Sequence, residues 1–122
     1  MQLELISKII ISYLLGSISG SLIIGKIKNV DIRTMGSGNA GATNAFRTQG
    51  VLFSLMVMFI DVAKGYVAVA FIAEGLSITS VLLCGISAVM GHVYPIYYNF
   101  NGGKGAGTLI GVLLALYPSY FF

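Results

Sequence analysis

Residues 51–73 read VLFSLMVMFIDVAKGYVAVAFIA, and this stretch decides the fold. It is mostly apolar and its only charged residues are Asp61 and Lys64, and a membrane-spanning helix needs about 20 mostly apolar residues. Residues 5–27, 78–94 and 106–122 have the same character, and Pro95 ends the third of these four stretches because proline cannot continue a helix. The sequence therefore predicts an all-α integral membrane protein with about four transmembrane helices in a single membrane domain.

The composition excludes a soluble enzyme. Of the 122 residues, 57% are hydrophobic and 9% are charged, whereas soluble domains are about 25% charged. Disorder is excluded as well, because disordered chains contain few apolar residues. The net charge is +3, but the basic residues form no dense run, so no nucleic acid is expected as a partner. The one cysteine, Cys84, lies in an apolar stretch and is predicted to be a small buried hydrophobic residue.

Basic residues set the expected orientation, since Lys and Arg gather in cytoplasmic loops. Two long polar loops, residues 28–50 and 95–105, contain or adjoin most of them, namely Lys26, Lys28, Arg33, Arg47 and Lys104. Lys8 lies at the other end of the first predicted span, which we interpret as retained rather than cleaved. We therefore expect the N-terminus outside and both glycine-rich loops at the cytoplasmic face.

The first loop has the composition of an anion site. Residues 36–47 read GSGNAGATNAFR, and glycines at this density let backbone N–H groups turn inward around an anion. Neutral hydrogen-bond donors and one charged fork suited to phosphate surround them; these candidate binding residues are Ser37, Gly38, Asn39, Thr43, Asn44 and Arg47. The spacing also matches G-x-G-x-x-G, but a dinucleotide site needs a preceding strand, and here a membrane helix precedes it.

The second loop carries another anion cradle, Gly102-Gly103-Lys104-Gly105, at the start of the last predicted helix. His92 is the only histidine, and three readings stay open for it: a structural residue, a general base or a ligand hydrogen bonder. Asp61 and Lys64 lie three residues apart and share a helix face. They form either a structural ion pair, or a pair in which Lys64 reaches an anion and Asp61 positions it.

These residues can hold anions but offer few groups that move protons. The sequence predicts no metal site and no cofactor. Such a site suits a substrate that is already activated, where catalysis consists of positioning and charge stabilisation.

Four motifs in order, residues 36–47, 61–65, 91–95 and 102–105, resemble the acyl-phosphate-dependent glycerol-3-phosphate acyltransferases of bacterial membranes, the PlsY family. The resemblance runs from the first span to about Gly111. It implies transfer of an acyl group from acyl phosphate to the 1-hydroxyl of glycerol 3-phosphate, giving lysophosphatidic acid and phosphate. It also implies a seven-helix fold, a place in the bacterial plasma membrane with the active face cytoplasmic, and a functional link to an enzyme that produces acyl phosphate.

The resemblance also assigns roles to residues. Ser37, Arg47 and Lys104 would hold the glycerol phosphate. The acyl-phosphate end would lie against Gly38, Asn39, Thr43 and the backbone of Gly102 and Gly103, and Lys64 would help with phosphate charge. The family is thought to lack a dedicated catalytic base, with substrate phosphate aiding proton removal, which leaves His92 as a possible catalytic residue only.

Family members continue through three more helices. From that difference in length we expect the chain to be an N-terminal portion of such an enzyme and to be inactive alone. A small transporter or permease subunit is the alternative function, because Asp61 and Lys64 within a span would also suit anion passage.

Overall fold

The computed structural model describes residues 2–117, and the secondary structure in that range consists of helices, with no strand. The α-helices are α1 (Gln2–Gly16), α2 (Gly20–Ile27), α3 (Ala42–Gln49), α4 (Val51–Val67), α5 (Ile78–Val93) and α6 (Ala106–Leu116). A π-helical turn, Ala68–Ile72, extends α4, and short 3₁₀ turns lie at Ile32–Thr34 and Ile96–Tyr98. The predicted all-α membrane fold is confirmed.

The spans differ in detail from the predicted four. Val51–Ile72 and Ile78–Tyr98 are long and apolar enough to cross a membrane. The first predicted span is two helices, α1 and α2, bent by 43°. Of the fourth predicted span, residues 106–122, the structure has the shorter apolar helix Ala106–Leu116, and residues 118–122, with Pro118, lie outside the described range.

The lipid-facing surface is apolar, as expected of a membrane protein. Large side chains such as Phe59, Phe71 and Leu114 are 75%, 64% and 56% exposed. In water this exposure would forgo about 1.5–3 kcal/mol per side chain of burial free energy, whereas lipid tails accept it. Most of the buried hydrophobic residues form two clusters. One lies between the π-helical turn, α5 and α6 around Val81 and Cys84, and one lies beneath the first loop around Ile32 and Phe53.

Glycines let two helix pairs pack closely. A Cβ on Gly16 of α1 would overlap the Ala88 carbonyl of α5, and a Cβ on Gly65 of α4 would overlap the Thr108 carbonyl of α6. Close backbone approach through small residues is typical of helix packing in lipid, where van der Waals contact drives association. This packing holds α1 against α5 and α4 against α6.

Two buried charged residues form hydrogen bonds with the backbone groups at the break between α1 and α2. Backbone groups freed by a broken helix must find partners inside the protein at membrane depth. The Ile18 carbonyl accepts a hydrogen bond of 2.7 Å from Lys64 Nζ, and the Gly20 N–H donates to Asp61 Oδ1 at 3.2 Å. Asp61 and Lys64 lie 3.3 Å apart and are almost fully buried. The predicted pair therefore forms, and it also holds the bend between α1 and α2.

Candidate anion-binding site

The two polar loops meet at one end of the helices. Arg33 joins them, since its Nη1 donates to the carbonyls of Tyr98 and Asn101 at 3.1 Å and 3.0 Å. Its other donors form a two-pronged pair with Asp31, which lowers the pKa of that carboxyl below its usual value. At the opposite end, Lys8 Nζ lies 3.3 Å from the carbonyl of Glu74. The predicted arrangement, with both loops on one side and the start of α1 on the other, matches these contacts.

A cavity of about 320 Å³ opens between the loops. Backbone and side chains of both loops, the start of α6 and the inner face of α4 line it: Ser37, Asn39, Gly41, Ala42, Thr43, Asn44, Arg47, Met58, Asp61, His92, Lys104, Gly105, Ala106, Gly107 and Ile110. The sequence-predicted candidates Gly38, Lys64, Gly102 and Gly103 are not among the lining residues.

Two helices, α3 and α6, begin at this cavity. Gly41 precedes α3 and Gly105 precedes α6, and neither helix has a side-chain cap. The first N–H groups of a helix have no intrahelical partner, and together with the helix dipole they attract anions. Gly105 has a φ of +90°, a conformation that L side chains rarely adopt. Two uncapped N-termini at a common cavity form a candidate site for a negatively charged group.

Two positively charged side chains, Arg47 and Lys104, also line the cavity. Arg47 in the last turn of α3 and Lys104 just before α6 are exposed, and neither makes a hydrogen bond or ion pair with any residue between 2 and 117. Both side chains line the cavity, and without protein partners in that range they are free to bind a ligand. An Arg fork and a Lys point charge in one cavity suit phosphate or carboxylate oxygens.

Asn44 has a structural role in the first loop. Its side-chain amide donates to the carbonyls of Ile32, Met35 and Asn39 at 2.9–3.0 Å, and its Oδ1 accepts the Ser37 N–H at 3.1 Å. These bonds occupy the amide and shape the loop around Gly36 and Gly38. The predicted contact between Asn44 and substrate stays a prediction, although Asn44 does line the cavity.

The Gly102 and Gly103 N–H groups also have protein partners. They donate to the carbonyls of Val93 and His92 at 3.1 Å and 3.2 Å, which ties the second loop to the end of α5. The predicted role of these N–H groups in binding substrate stays a prediction, and both groups are occupied by these carbonyls. The neighbouring N-terminus of α6 provides unpaired N–H groups in their place.

Sequence reasoning treated Asp61 as the partner of Lys64, whereas the structure places Asp61 in the cavity wall and Lys64 behind it. Lys64 Nζ is directed at Ile18, Asp61 and His92, the last through Nδ1 at 2.8 Å. The carboxylate at the base of an anion site is tolerable because Lys64 neutralises it. Spacing along the helix places both residues on one face, but it does not show which of the two points further toward the cavity.

Comparisons with known proteins point to one enzyme family. A sequence model of the glycerol-3-phosphate acyltransferase family matches residues 6–122. The glycerol-3-phosphate acyltransferase of Thermosipho melanesiensis is 44% identical over 116 residues, which cover 95% of this chain and 58% of that protein. That of Aquifex aeolicus is 42% identical over 113 residues, covering 91% of this chain and 59% of that protein. The chain thus spans about 58% of the length of the relatives it matches.

Solved structures give the same result. The crystal structure of PlsY, an integral membrane glycerol 3-phosphate acyltransferase, in its glycerol 3-phosphate form superposes with a TM-score of 0.87 at 39% identity. The match covers 94% of this chain and 58% of that one. The lysophosphatidic acid form of PlsY matches with a TM-score of 0.83 at 38% identity.

Proposed function

The chain belongs to the glycerol-3-phosphate acyltransferase family, and from this premise we propose that its cavity is the substrate site of an acyl transfer. An acyl group moves from acyl phosphate to the 1-hydroxyl of glycerol 3-phosphate, and lysophosphatidic acid and phosphate are formed. The observation that carries the proposal is the convergence of two uncapped helix N-termini, Arg47 and Lys104 on one cavity. Both substrates bear phosphate, which this set of groups suits.

An apolar groove next to the cavity supports a fatty acyl donor. The groove has a volume of about 460 Å³ and lies along α4, where Leu55, Phe59, Ala63 and Tyr66 line it. Met58 belongs to both the groove and the polar cavity. From Leu55 to Val67 a helix rises about 18 Å, a length comparable with that of a fatty acyl chain. A phosphate in the cavity with its chain in the groove fits an acyl phosphate.

The wider assignment follows from the same proposal. The polar end of the protein faces the cytoplasm of a bacterial cell, in its plasma membrane, because the basic loops lie there. Acyl phosphate is the donor, so an enzyme that makes acyl phosphate supplies it. A transporter is not favoured, because a carrier needs its polar groups near the bilayer midplane, whereas here the free cations lie in the loops at one end.

Ligand binding by the chain in lipid nanodiscs tests the proposal. We expect hexadecyl phosphate to bind, and Lys104→Ala to weaken its binding about tenfold or more, since one charge-assisted hydrogen bond contributes about 1.5–3 kcal/mol. Lys26→Ala is the matched control, because Lys26 is an exposed lysine outside the cavity. Absence of binding, or equal losses in the two variants, would contradict the proposal.

A second variant tests the groove. Ala63→Phe places a ring where the chain is proposed to lie, so affinity for hexadecyl phosphate should fall while affinity for inorganic phosphate is kept. Leu83→Phe on the lipid-facing surface of α5 is the control. Phosphate release from palmitoyl phosphate, with and without glycerol 3-phosphate, then measures transfer itself. Acceptor-dependent release would overturn the expectation that these 122 residues are inactive alone.

A further inference from the structure

One nitrogen of the His92 ring is hydrogen-bonded to another residue in the described part of the chain, and the other is not. Nδ1 lies 2.8 Å from Lys64 Nζ, and Nζ is also 2.7 Å from the Ile18 carbonyl and 3.3 Å from Asp61 Oδ1. Nε2 makes no hydrogen bond to any group within residues 2–117. His92 itself is 2% exposed and lines the cavity.

The contact with Lys64 determines which ring nitrogen carries the proton. A lysine ammonium donates hydrogen bonds and accepts none, so Nδ1 accepts one from Lys64. The carboxylate of Asp61, 3.3 Å from Lys64 Nζ, favours the charged ammonium. A second positive charge on a ring whose Nδ1 lies 2.8 Å from that ammonium is disfavoured. The imidazole is therefore neutral and carries its single N–H on Nε2.

Nε2 lies in a small polar recess. A Cβ added to Gly103 would be 2.6 Å from Nε2, 3.1 Å from Asn39 Oδ1 and 3.3 Å from the Gly41 nitrogen. Asn39 Oδ1 is buried without a hydrogen-bond partner in the described part of the chain. Three polar groups thus surround a point that only a glycine at position 103 leaves open. This recess borders the cavity at the N-terminus of α3.

We propose that the Nε2–H of His92 is a neutral hydrogen-bond donor to a phosphoryl oxygen in the cavity, and that Lys64 is the positioning residue that fixes this tautomer. The proposal rests on the proposed function, because it takes the ligand to be a phosphate compound. It decides between the readings of His92 that sequence leaves open. A general base needs a free lone pair facing the substrate, whereas the Nδ1 lone pair is bound to Lys64 and Nε2 is protonated.

The tautomer can be measured directly, because His92 is the only histidine of the chain. ¹⁵N-histidine labelling of the full chain in nanodiscs gives one imidazole signal pair. We expect a protonated Nε2 and an unprotonated, hydrogen-bonded Nδ1, with the Nε2–H resonance shifting when inorganic phosphate is added. A proton on Nδ1, or an imidazolium at neutral pH, would overturn the proposal.

Variants of Lys64 test its positioning role. Lys64→Met alone leaves the buried carboxylate of Asp61 unpaired and endangers folding, so the double variant Asp61→Asn with Lys64→Met is the second measurement. In either variant that folds, we expect Nδ1 to lose its donor and part of the population to carry the proton there. An unchanged Nε2–H tautomer in the double variant would show that Lys64 does not fix it.

Variants of His92 separate a donor from a base. His92→Leu should weaken binding of inorganic phosphate about tenfold, and His92→Gln should restore much of that loss, because the glutamine amide can present an N–H near the Nε2 position. Equal losses in the two variants would contradict the donor role.

Phosphate titration also distinguishes this proposal from the proposed function. If inorganic phosphate binds in a manner that depends on Lys104 but leaves the Nε2–H resonance unmoved, the role of His92 is wrong and the proposed function stands. If inorganic phosphate does not bind the wild-type chain at all, the proposed function fails as well, because no anion occupies the cavity.

Discussion

Arg33 is the side chain that holds the two loops of the site together. It donates to two carbonyls of the second loop and to both oxygens of Asp31. A lysine supplies the charge but not this fork, so it cannot reproduce these contacts. From the sequence alone, Arg33 is recognised only as one of the basic residues that indicate the cytoplasmic side. Its carbonyl partners in the second loop lie more than sixty residues away, and the residues around Arg33 do not reveal them.

Removing this side chain should loosen the second loop. In Arg33→Ala the Tyr98 and Asn101 carbonyls lose their donor, and we expect hydrogen exchange at the Phe100 and Gly102 amides to accelerate about tenfold or more. Arg33→Lys should recover only part of the protection. Mass spectrometry of exchanged peptides over residues 95–105 measures it, and unchanged exchange in Arg33→Ala would contradict the role of the fork.

The same contact predicts an acid response. The hydrogen bond from Arg33 lowers the pKa of Asp31, so its stabilising contribution is present above the ordinary Asp pKa of about 3.9 and is lost as the pH falls through the lowered value. Protection of residues 95–105 should therefore hold at neutral pH and fall only in acid. Arg33→Ala should flatten this dependence, and an identical pH profile in that variant would show that another group is responsible.

Hydrogen-bonding residues show where sequence reasoning reaches its limit. The sequence places Ser37, Asn39, Thr43, Arg47 and Lys104 in an anion site, and the structure brings them to one cavity. For Asn44 the sequence shows a donor but not its partner, since an amide that binds backbone carbonyls has the same composition as one that binds substrate. The conformation of the loop decides which role Asn44 has, and the spacing of residues in the sequence does not predict that conformation.

At the level of helices, α6 depends on a close approach to α4. A Cβ on Gly111 would overlap the Val62 carbonyl, and Gly65 faces the Thr108 carbonyl in the same way. Gly111→Ala should therefore separate the helices and lower the free energy of unfolding by about 1–3 kcal/mol. Phosphate affinity should fall too, because α6 carries one of the two N-termini at the cavity.

Denaturant titration in detergent measures this change, with Leu114→Ala on the lipid-facing side of α6 as the control. Leu114→Ala removes side-chain atoms from an exposed position, whereas Gly111→Ala adds a Cβ against the backbone of α4. The control should therefore lower the free energy of unfolding less. Equal unfolding midpoints for Gly111→Ala and the original chain would mean that α4 and α6 can separate without a loss of unfolding free energy. The close approach would then not stabilise the position of α6.

The helix pattern itself was readable from sequence, and its interruptions were not. Hydropathy predicts the stretches around α4 and α5 almost to the residue. The bend between α1 and α2 escaped it, because apolar character resumes after the break. Ser19 caps α2 locally by accepting the Leu22 N–H, but the groups that satisfy the Gly20 N–H and the Ile18 carbonyl are Asp61 and Lys64 on a different helix. A window that averages neighbouring residues cannot contain a partner forty residues away.

For the whole molecule, the contacts predict sidedness. The loops around Thr34 and Asn101 lie together, and the turn with Glu74 lies at the opposite end beside Lys8. The basic residues flank the two loops, and the positive-inside rule is the ground for our proposal that this end faces the cytoplasm. Cys84 is the only cysteine and is fully buried, so the chain provides a low background for labelling cysteines introduced elsewhere.

Labelling with a membrane-impermeant maleimide tests this topology in oriented vesicles. Thr34→Cys and Asn101→Cys should react in inverted vesicles and stay protected in right-side-out ones, and Glu74→Cys should show the reverse. The unaltered chain should react only after unfolding, because Cys84 is enclosed by α5 and its neighbours. Labelling of all three positions from one side would contradict the fold, whereas a full exchange of the two patterns would leave the fold standing and reverse the proposed orientation.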